Sequence, residues 1–172
     1  FTSGDEAELF LNGKSLGRKK KGQFEYRLRW DDVKYQPGEL KVVAYKNGEK
    51  WAEDVVQTTG KPHKLEAIAD HSEIRADGKD LSFITIRVAD RNGLTVPQAT
   101  NLITFKIEGC GEIVATDNGD PTDFTPFPSH ERKAFSGLAL VIVRSKPGQS
   151  GTITVTAESL GLKKARAFIT SK

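Results

Sequence analysis

The sequence GCGEIVATDNGDPTDFTPFPSHERKAFSGLALVIVR, at Gly109–Arg144, carries the clearest structural signal in the chain. It opens on a short apolar segment, continues through a long stretch of turn-forming residues, and closes on FSGLALVIVR, the most apolar run of the protein. Apolar runs bounded by turn formers are typical of buried strands. The pattern therefore predicts two strands, Gly111–Thr116 and Phe135–Arg144, joined by a long loop.

The rest of the chain has a simpler pattern, in which short strands alternate with tight turns. Asn12-Gly13 and Asn47-Gly48 are typical two-residue hairpin turns, because asparagine and glycine accept the positive φ that both turn positions need. No segment shows the apolar periodicity of an amphipathic helix. The other predicted strands are Glu6–Leu11, Lys14–Gly17, Gln23–Trp30, Leu40–Lys46, Lys50–Thr58, Lys64–Asp70, Leu81–Asp90, Asn101–Gly109, Thr152–Ala157 and Lys163–Thr170.

A joint between two modules is predicted at Gly60-Lys61-Pro62, since glycine followed closely by proline interrupts strand pairing. We expect an all-β protein built from two tandem immunoglobulin-like antiparallel β-sandwiches, one at residues 1–60 and one at residues 61–172. The first module is short for a sandwich. We therefore expect it to be truncated, with one or two of its strands preceding Phe1.

Composition narrows the classes of function. Apolar residues make up 37% and charged residues 28% of the chain, as in ordinary globular proteins, and the net charge is only +3. The charges are spread over both modules, so nucleic acid is not an expected partner. No apolar run approaches the roughly 20 residues of a membrane span, so membrane insertion is not expected either. The single cysteine, Cys110, excludes an internal disulfide and favours a buried structural thiol.

The turn-rich part of the central stretch contains most of the candidate site residues. Its closely spaced acids could supply oxygen ligands to calcium, but the glycine and the closing glutamate of an EF-hand loop are missing. Asn118-Gly119 and Asp120-Pro121 are equally typical of turns. We expect no metal and no other cofactor, and we interpret the loop as a domain-facing or ligand-contacting surface. Its candidate residues are Asp117, Asn118, Asp120, Asp123, His130, Glu131 and Arg132.

The length of this loop also favours a contact role, because long loops without structure of their own are uncommon unless they are functional or disordered. We expect Thr116–Lys133 to dock on a neighbouring domain and to be mobile without it. His130 and Glu131 are adjacent, but neighbours in an extended chain point in opposite directions, so the pair does not predict acid–base chemistry. No catalytic residue is assigned.

Two aromatic residues of the first module are candidate sugar platforms, since sugars stack on exposed tryptophan and tyrosine rings. Trp51 emerges from the second hairpin turn, and Tyr35 precedes a proline-glycine turn. Packing in the core of the module is the alternative for Trp51. The sequence leaves both interpretations open.

Four longer motifs resemble a known family. They are ELFLNGKSLG at Glu8–Gly17, YQPGELKVVAYKNGEKW at Tyr35–Trp51, DGKDLSFITIRVADRNG at Asp77–Gly93, and the central stretch at Gly109–Ser145. The pattern resembles the modules that follow the catalytic barrel in glycoside hydrolase family 2 enzymes of the β-galactosidase group, particularly the Bacteroides type. The resemblance extends over nearly the whole chain.

The resemblance implies a retaining glycosidase as the parent protein, with two catalytic glutamates on a barrel that this chain does not contain. None of Glu6, Glu8, Glu25, Glu39 or Glu131 lies in a matching motif. The expected role is a non-catalytic C-terminal accessory region, with the catalytic barrel of the same polypeptide as its partner and a periplasmic or extracellular location. A carbohydrate-binding module and a cell-surface adhesion or spacer domain are the alternatives.

Overall fold

The computed structural model describes all 172 residues, and its regular elements are all β-strands, which confirms the all-β class. The chain divides into two compact units, Phe1–Thr58 and Thr59–Lys172. None of its elements is a helix long and apolar enough to cross a membrane.

The first unit is one antiparallel sheet of four strands in the order β2-β1-β3-β4. Asn12 and Asn47 have φ values of 50° and 53°, so both predicted hairpin turns are confirmed. The strands are β1 (Glu6–Leu11), β2 (Lys14–Lys20), β3 (Glu39–Lys46) and β4 (Glu49–Gln57).

The predicted strand at Gln23–Trp30 is wrong, because this segment does not pair with any strand. Instead, Trp30 Nε1 donates a hydrogen bond of 3.2 Å to the Gly17 carbonyl of the edge strand β2. The alternating aromatic residues are not buried, since Phe24 and Tyr26 are 81% and 74% exposed. Period-two alternation makes a strand only where a partner strand and an opposing apolar face exist, and the unit supplies neither to this segment.

The second unit is a sandwich of two sheets, with strand orders β5-β7-β11-β9 and β10-β8-β12-β13-β6. The sheet β5-β7-β11-β9 together with the strands β8-β12-β13 of the second sheet reproduces the strand arrangement of an immunoglobulin-like sandwich. This confirms the predicted fold of this unit. All pairs are antiparallel except β13 with β6. The strands are β5 (Lys64–Ala69), β6 (Glu73–Ile74), β7 (Leu81–Ala89), β8 (Leu102–Gly109), β9 (Gly111–Asp117), β10 (Glu131–Lys133), β11 (Leu138–Ser145), β12 (Gly151–Glu158) and β13 (Ala165–Ser171).

One apolar core lies between the two sheets of the second unit. Strand β7 sends alternate residues into it, since Ile84, Ile86 and Val88 are fully buried. Cys110 is 8% exposed, carries a free thiol and belongs to the same core, as expected from the sequence. The other large, fully buried apolar residues are Ile103, Phe105, Val141, Val143, Ile153, Val155 and Ile169.

The chain changes sheets at Gly109–Gly111, between β8 and β9. Gly109 has a φ of 93°, and a Cβ atom there would lie 2.0 Å from the Thr152 carbonyl oxygen. A Cβ atom at Gly111 would lie 2.7 Å from the Ile153 Cδ1 atom. Both positions therefore need glycine, which allows β9 to leave one sheet and join the other close to the core.

Replacing Gly109 by alanine tests this crossover. We expect Gly109→Ala to lower the free energy of unfolding by at least about 2 kcal/mol, because the substitution combines left-handed backbone strain with a backbone clash. Gly119→Ala is the matched control: its φ is 74°, but nothing lies within 4 Å of the added Cβ atom, so only the backbone strain remains. Urea unfolding followed by circular dichroism measures both, and equal losses would contradict the account of the crossover.

Candidate functional site

The loop between β9 and β10 folds around a buried arginine. Arg132 is 1% exposed, so the expectation that it faces a neighbouring domain or ligand is wrong. Its Nη2 atom donates to the carbonyl oxygens of Thr116 and Pro126 at 2.6 and 3.0 Å. Its Nη1 atom donates to the Thr125 carbonyl at 2.9 Å. The planar guanidinium thus ties three carbonyl groups of the loop together from inside.

Asp123 completes this cluster on the solvent side. Its Oδ2 atom lies 3.3 Å from Arg132 Nη1 and accepts a hydrogen bond of 2.8 Å from Asn118 Nδ2. Hydrogen bonding by the side chain and amide of Thr125, together with the Arg132 charge, lowers the pKa of Asp123 to about 2. The carboxylate is therefore ionised at neutral pH and is occupied by contacts within its own loop.

The remaining polar residues at the start of the loop form turns. Asp117 Oδ1 accepts a hydrogen bond of 2.7 Å from the Asn118 amide, and Asn118 Oδ1 accepts one of 2.9 Å from the Asp120 amide. Asp120 Oδ1 in turn accepts hydrogen bonds from the amide and hydroxyl of Thr122 at 2.9 and 2.8 Å. These local bonds are the Asx-turn pattern, which favours the turn-former interpretation over ligand binding.

Other loop residues remain accessible to a partner. His130 and Glu131 are exposed, although the His130 carbonyl accepts a hydrogen bond of 2.8 Å from the Phe105 amide. Phe124 and Phe127 are 92% and 62% exposed, and the sequence interpretation missed both. The signal was the presence of two phenylalanines in an otherwise polar loop, one of them, Phe127, between two prolines. In the structure as a whole, no group of three or more His, Cys, Asp or Glu side chains is arranged to hold a metal ion.

The two candidate sugar platforms do not form a joint surface. Trp51 is 55% exposed, so the core-packing interpretation is wrong, and its Nε1 atom donates to Ser3 Oγ at 3.1 Å. Tyr35 is 76% exposed, and its hydroxyl lies 3.2 Å from Thr58 Oγ1. Trp51 and Thr58 are separated along β4 by roughly 23 Å of extended chain. Each aromatic ring is therefore an isolated surface residue, with Lys46 Nζ 4.9 Å from the centre of the Trp51 ring.

The role of Arg132 in the loop can be tested by substitution with methionine. We expect Arg132→Met to lower the free energy of unfolding by about 3 kcal/mol or more, because carbonyl groups buried around the guanidinium lose their donors. Urea unfolding followed by circular dichroism measures the loss.

Arg144→Met is the matched control for this substitution. Arg144 also lies on a strand, but its ion pair with Glu112 at 2.7 Å is surface-exposed, so its loss should cost at most about 1 kcal/mol. Similar losses in the two variants would show that the buried arginine is not what organises the loop.

Comparison with known proteins identifies both parts of the chain. Residues 65–167 match the model of the glycoside hydrolase family 2 C-terminal domain 5. Residues 1–52 match a domain of unknown function, DUF4982.

Similar proteins are glycosidases that are much longer than this chain. The β-galactosidase BoGH2A of Bacteroides ovatus is 41% identical over 96% of this chain, which spans 19% of that protein. A family 2 glycosyl hydrolase structure from Bacteroides cellulosilyticus superposes with a TM-score of 0.90 at 36% identity, covering 96% of this chain and 23% of its own. A β-glycosidase structure from Bacteroides vulgatus has a TM-score of 0.91 at 29% identity. The match covers 97% of this chain and 21% of the Bacteroides vulgatus chain.

The family match covers more than half of the chain and includes nearly all of the second unit. This chain spans only about a fifth of the relatives that it matches. The resemblance of its motifs to family 2 enzymes is thereby confirmed, and the chain belongs to the glycoside hydrolase family 2 C-terminal domain 5 family.

Proposed function

We propose that this chain is the non-catalytic C-terminal accessory region of a family 2 glycosidase of the β-galactosidase type. In this proposal it packs against, or extends, a catalytic barrel elsewhere in the same polypeptide. The observation that carries the proposal is the match to a C-terminal domain, combined with 41% identity to a β-galactosidase of which the chain spans 19%.

The state of the carboxylates supports a scaffold role. Retaining glycosidases need two carboxylates about 5 Å apart, and one of them must hold a proton, which requires a raised pKa. The pKa values of two carboxylates of the second unit, Glu66 and Asp90, are shifted in the opposite direction. Hydrogen bonds from Lys64 and Arg87 lower the pKa of Glu66, and the Gly60, Leu94 and Asn92 amides lower that of Asp90.

These carboxylates belong to the architecture of the second unit. The Asp90 side chain accepts hydrogen bonds from the Gly60 and Leu94 amides at 2.7 and 2.9 Å, and Asp90 itself is 1% exposed. Glu66 joins neighbouring strands through its ion pair with Arg87. Groups that stay ionised and hold backbone or arginine partners are suited to structure and poorly suited to proton donation.

The activity and location of the parent are part of the same proposal. Relatives of the chain are named as β-galactosidase and putative β-glucuronidase, so we propose hydrolysis of terminal β-linked sugars by the parent. We further propose a periplasmic or extracellular location, supported by the resemblance to Bacteroides-type enzymes. A carbohydrate-binding module remains the alternative function to test, because the Trp51 ring is exposed.

An activity assay on the purified chain tests the proposal. We expect no turnover of chromogenic β-galactosides or β-glucuronides above the buffer control, because the proposal places both catalytic carboxylates on a barrel elsewhere in the polypeptide. The full-length polypeptide, assayed in parallel, should hydrolyse at least one of these substrates. Turnover by the chain alone that survives repurification would contradict the proposal.

A glycan titration in the same samples separates the alternative function. The Trp30→Phe variant leaves Trp51 as the single fluorescent tryptophan, so a sugar stacked on that ring would change the emission. We expect flat titrations with galactose-, glucose- and mannose-based glycans. A saturable change in emission would favour a carbohydrate-binding module. The control is a Trp51→Ala variant that keeps Trp30, in which NMR shifts should no longer respond to the glycan.

A further inference from the structure

The outer face of the sheet β5-β7-β11-β9 is apolar, although it does not face the core. Strand β11 buries Ala139, Val141 and Val143, so its intervening apolar residues point outwards. The predicted buried strand is therefore buried fully on one face and only in part on the other. We call this surface the outer patch; it consists of Ile68, Phe83, Leu138, Leu140 and Ile142.

The members of the outer patch are exposed to different degrees. Ile68 is 52% exposed, Phe83 is 40% exposed and Leu138 is 39% exposed. Leu140 and Ile142 are half-buried between them. Exposed single apolar residues are ordinary, but a connected group on one sheet face is the feature that marks interaction surfaces.

Strand register makes the outer patch continuous. Ile142 lies opposite Phe83 on one side and Ala115 on the other. Leu140 lies opposite Thr85, which in turn lies opposite Ile68. Directly opposed residues on one face have neighbouring side chains, so the apolar surface runs across all four strands.

The outer face of the other sheet has a different character. Its centre holds Thr154 and Thr156, and the ion pair of Lys106 with Glu158 at 2.6 Å joins the neighbouring strands β8 and β12 beside them. Leu102 and Phe168 are its large exposed apolar residues. The two outer faces of one sandwich therefore differ, and the polar one has the character expected of a sheet that faces water.

Most charged residues around the outer patch are already paired within the chain, and Asp117, which lies opposite Leu140, accepts hydrogen bonds from the Asn118 and Gly119 amides at 2.7 and 3.3 Å. Glu66 contacts both Arg87 and Lys64, the latter at 2.9 Å. Arg144 pairs with Glu112 at 2.7 Å. A rim whose charges are mostly paired internally attracts neither anionic nor cationic ligands strongly. It suits a lasting contact with another apolar protein surface, whose centre is depleted of charged groups.

The area of the outer patch indicates the kind of partner. Four strands about 4.8 Å apart, over about five residues each, cover roughly 300 Å². Contacts between domains of one chain bury about 600–1,500 Å² in total, or roughly 300–750 Å² on each side. A stable complex between separate molecules needs about 800 Å² on each side. The outer patch fits a contact between domains and is too small for a dimer of this chain.

We propose that the outer patch is the surface on which the second unit docks against the catalytic barrel of the same polypeptide. This inference rests on the proposed function. In the relative BoGH2A, of which the chain spans 19%, about four-fifths of the polypeptide lies outside the matched region and is available as a partner. The barrel surface that meets the outer patch is expected to be apolar and poor in charged groups.

Cysteine labelling of the full-length polypeptide tests this inference. Thr85 lies between Leu140 and Ile68 of the outer patch, and Thr154 lies at the centre of the opposite outer face; both are half-buried within the chain. The Thr85→Cys and Thr154→Cys variants are compared for their rate of reaction with a maleimide. The native Cys110 is 8% exposed and serves as the internal reference for a buried thiol.

We expect both introduced thiols to react readily in the 172-residue chain alone. In the full-length polypeptide, Thr85→Cys should react at least about ten-fold more slowly, since each factor of ten corresponds to about 1.4 kcal/mol of docking free energy. Thr154→Cys should react at the same rate in both. Equal rates for Thr85→Cys in the chain and in an active full-length glycosidase would overturn the docking surface and leave the proposed function standing.

Two other outcomes would also overturn the inference. Slow labelling of Thr85→Cys already in the chain alone, increasing with protein concentration, would assign the outer patch to a second copy. If the full-length polypeptide has neither glycosidase activity nor a catalytic barrel, the proposed function is contradicted, and the inferred docking partner does not exist.

Discussion

The second unit depends on one constraint: the inner faces of two sheets must be buried against each other. Ile84 and Ile86 from one sheet, and Ile153 and Val155 from the other, lie in that core and are at most 1% exposed. A fully buried aliphatic side chain contributes roughly 1.5–3 kcal/mol, so this contact is the main source of stability. Strand order, the crossover at Gly109–Gly111 and the outward direction of the outer patch all follow from it.

In the loop between β9 and β10, some side chains are buried and hold the loop together, while others remain accessible to a partner. The loop between β9 and β10 is closed by Arg132, which is held by carbonyl groups and Asp123 inside the unit. Its polar residues are thereby used in turns and in one buried cluster. The surfaces left for a partner are the apolar outer patch and, on the loop, Phe124 and Phe127 together with His130 and Glu131. A chain with this division of residues is suited to holding another domain in place.

Much of the fold could be predicted because its signals are local. The hairpin turns at Asn12 and Asn47 follow from turn chemistry, and β7 follows from alternation in LSFITIRVA. The position of the long loop also followed from its turn formers. The non-local features could not be predicted. Alternation at Gln23–Trp30 lacked a partner strand, and the inward direction of Arg132 depends on carbonyl groups that converge only after folding.

The exposure of Trp51 and of the outer patch is also a non-local property. Every residue of β4 is exposed, because no second sheet of the first unit covers this strand within the chain. Apolar residues lie on both faces of β11, whereas the chain itself fully buries only one of them. Contact with a partner domain would explain why the outward face of β11 is also apolar.

The central claim, that this chain supports a catalytic domain and does not perform the chemistry, is tested most directly by deleting Thr59–Lys172 from the full-length polypeptide. The account predicts that turnover per folded molecule persists, while the melting temperature falls and newly exposed apolar surface binds a hydrophobic dye. Loss of turnover with an unchanged melting temperature would contradict it, because the deleted unit would then have supplied catalytic groups and no support.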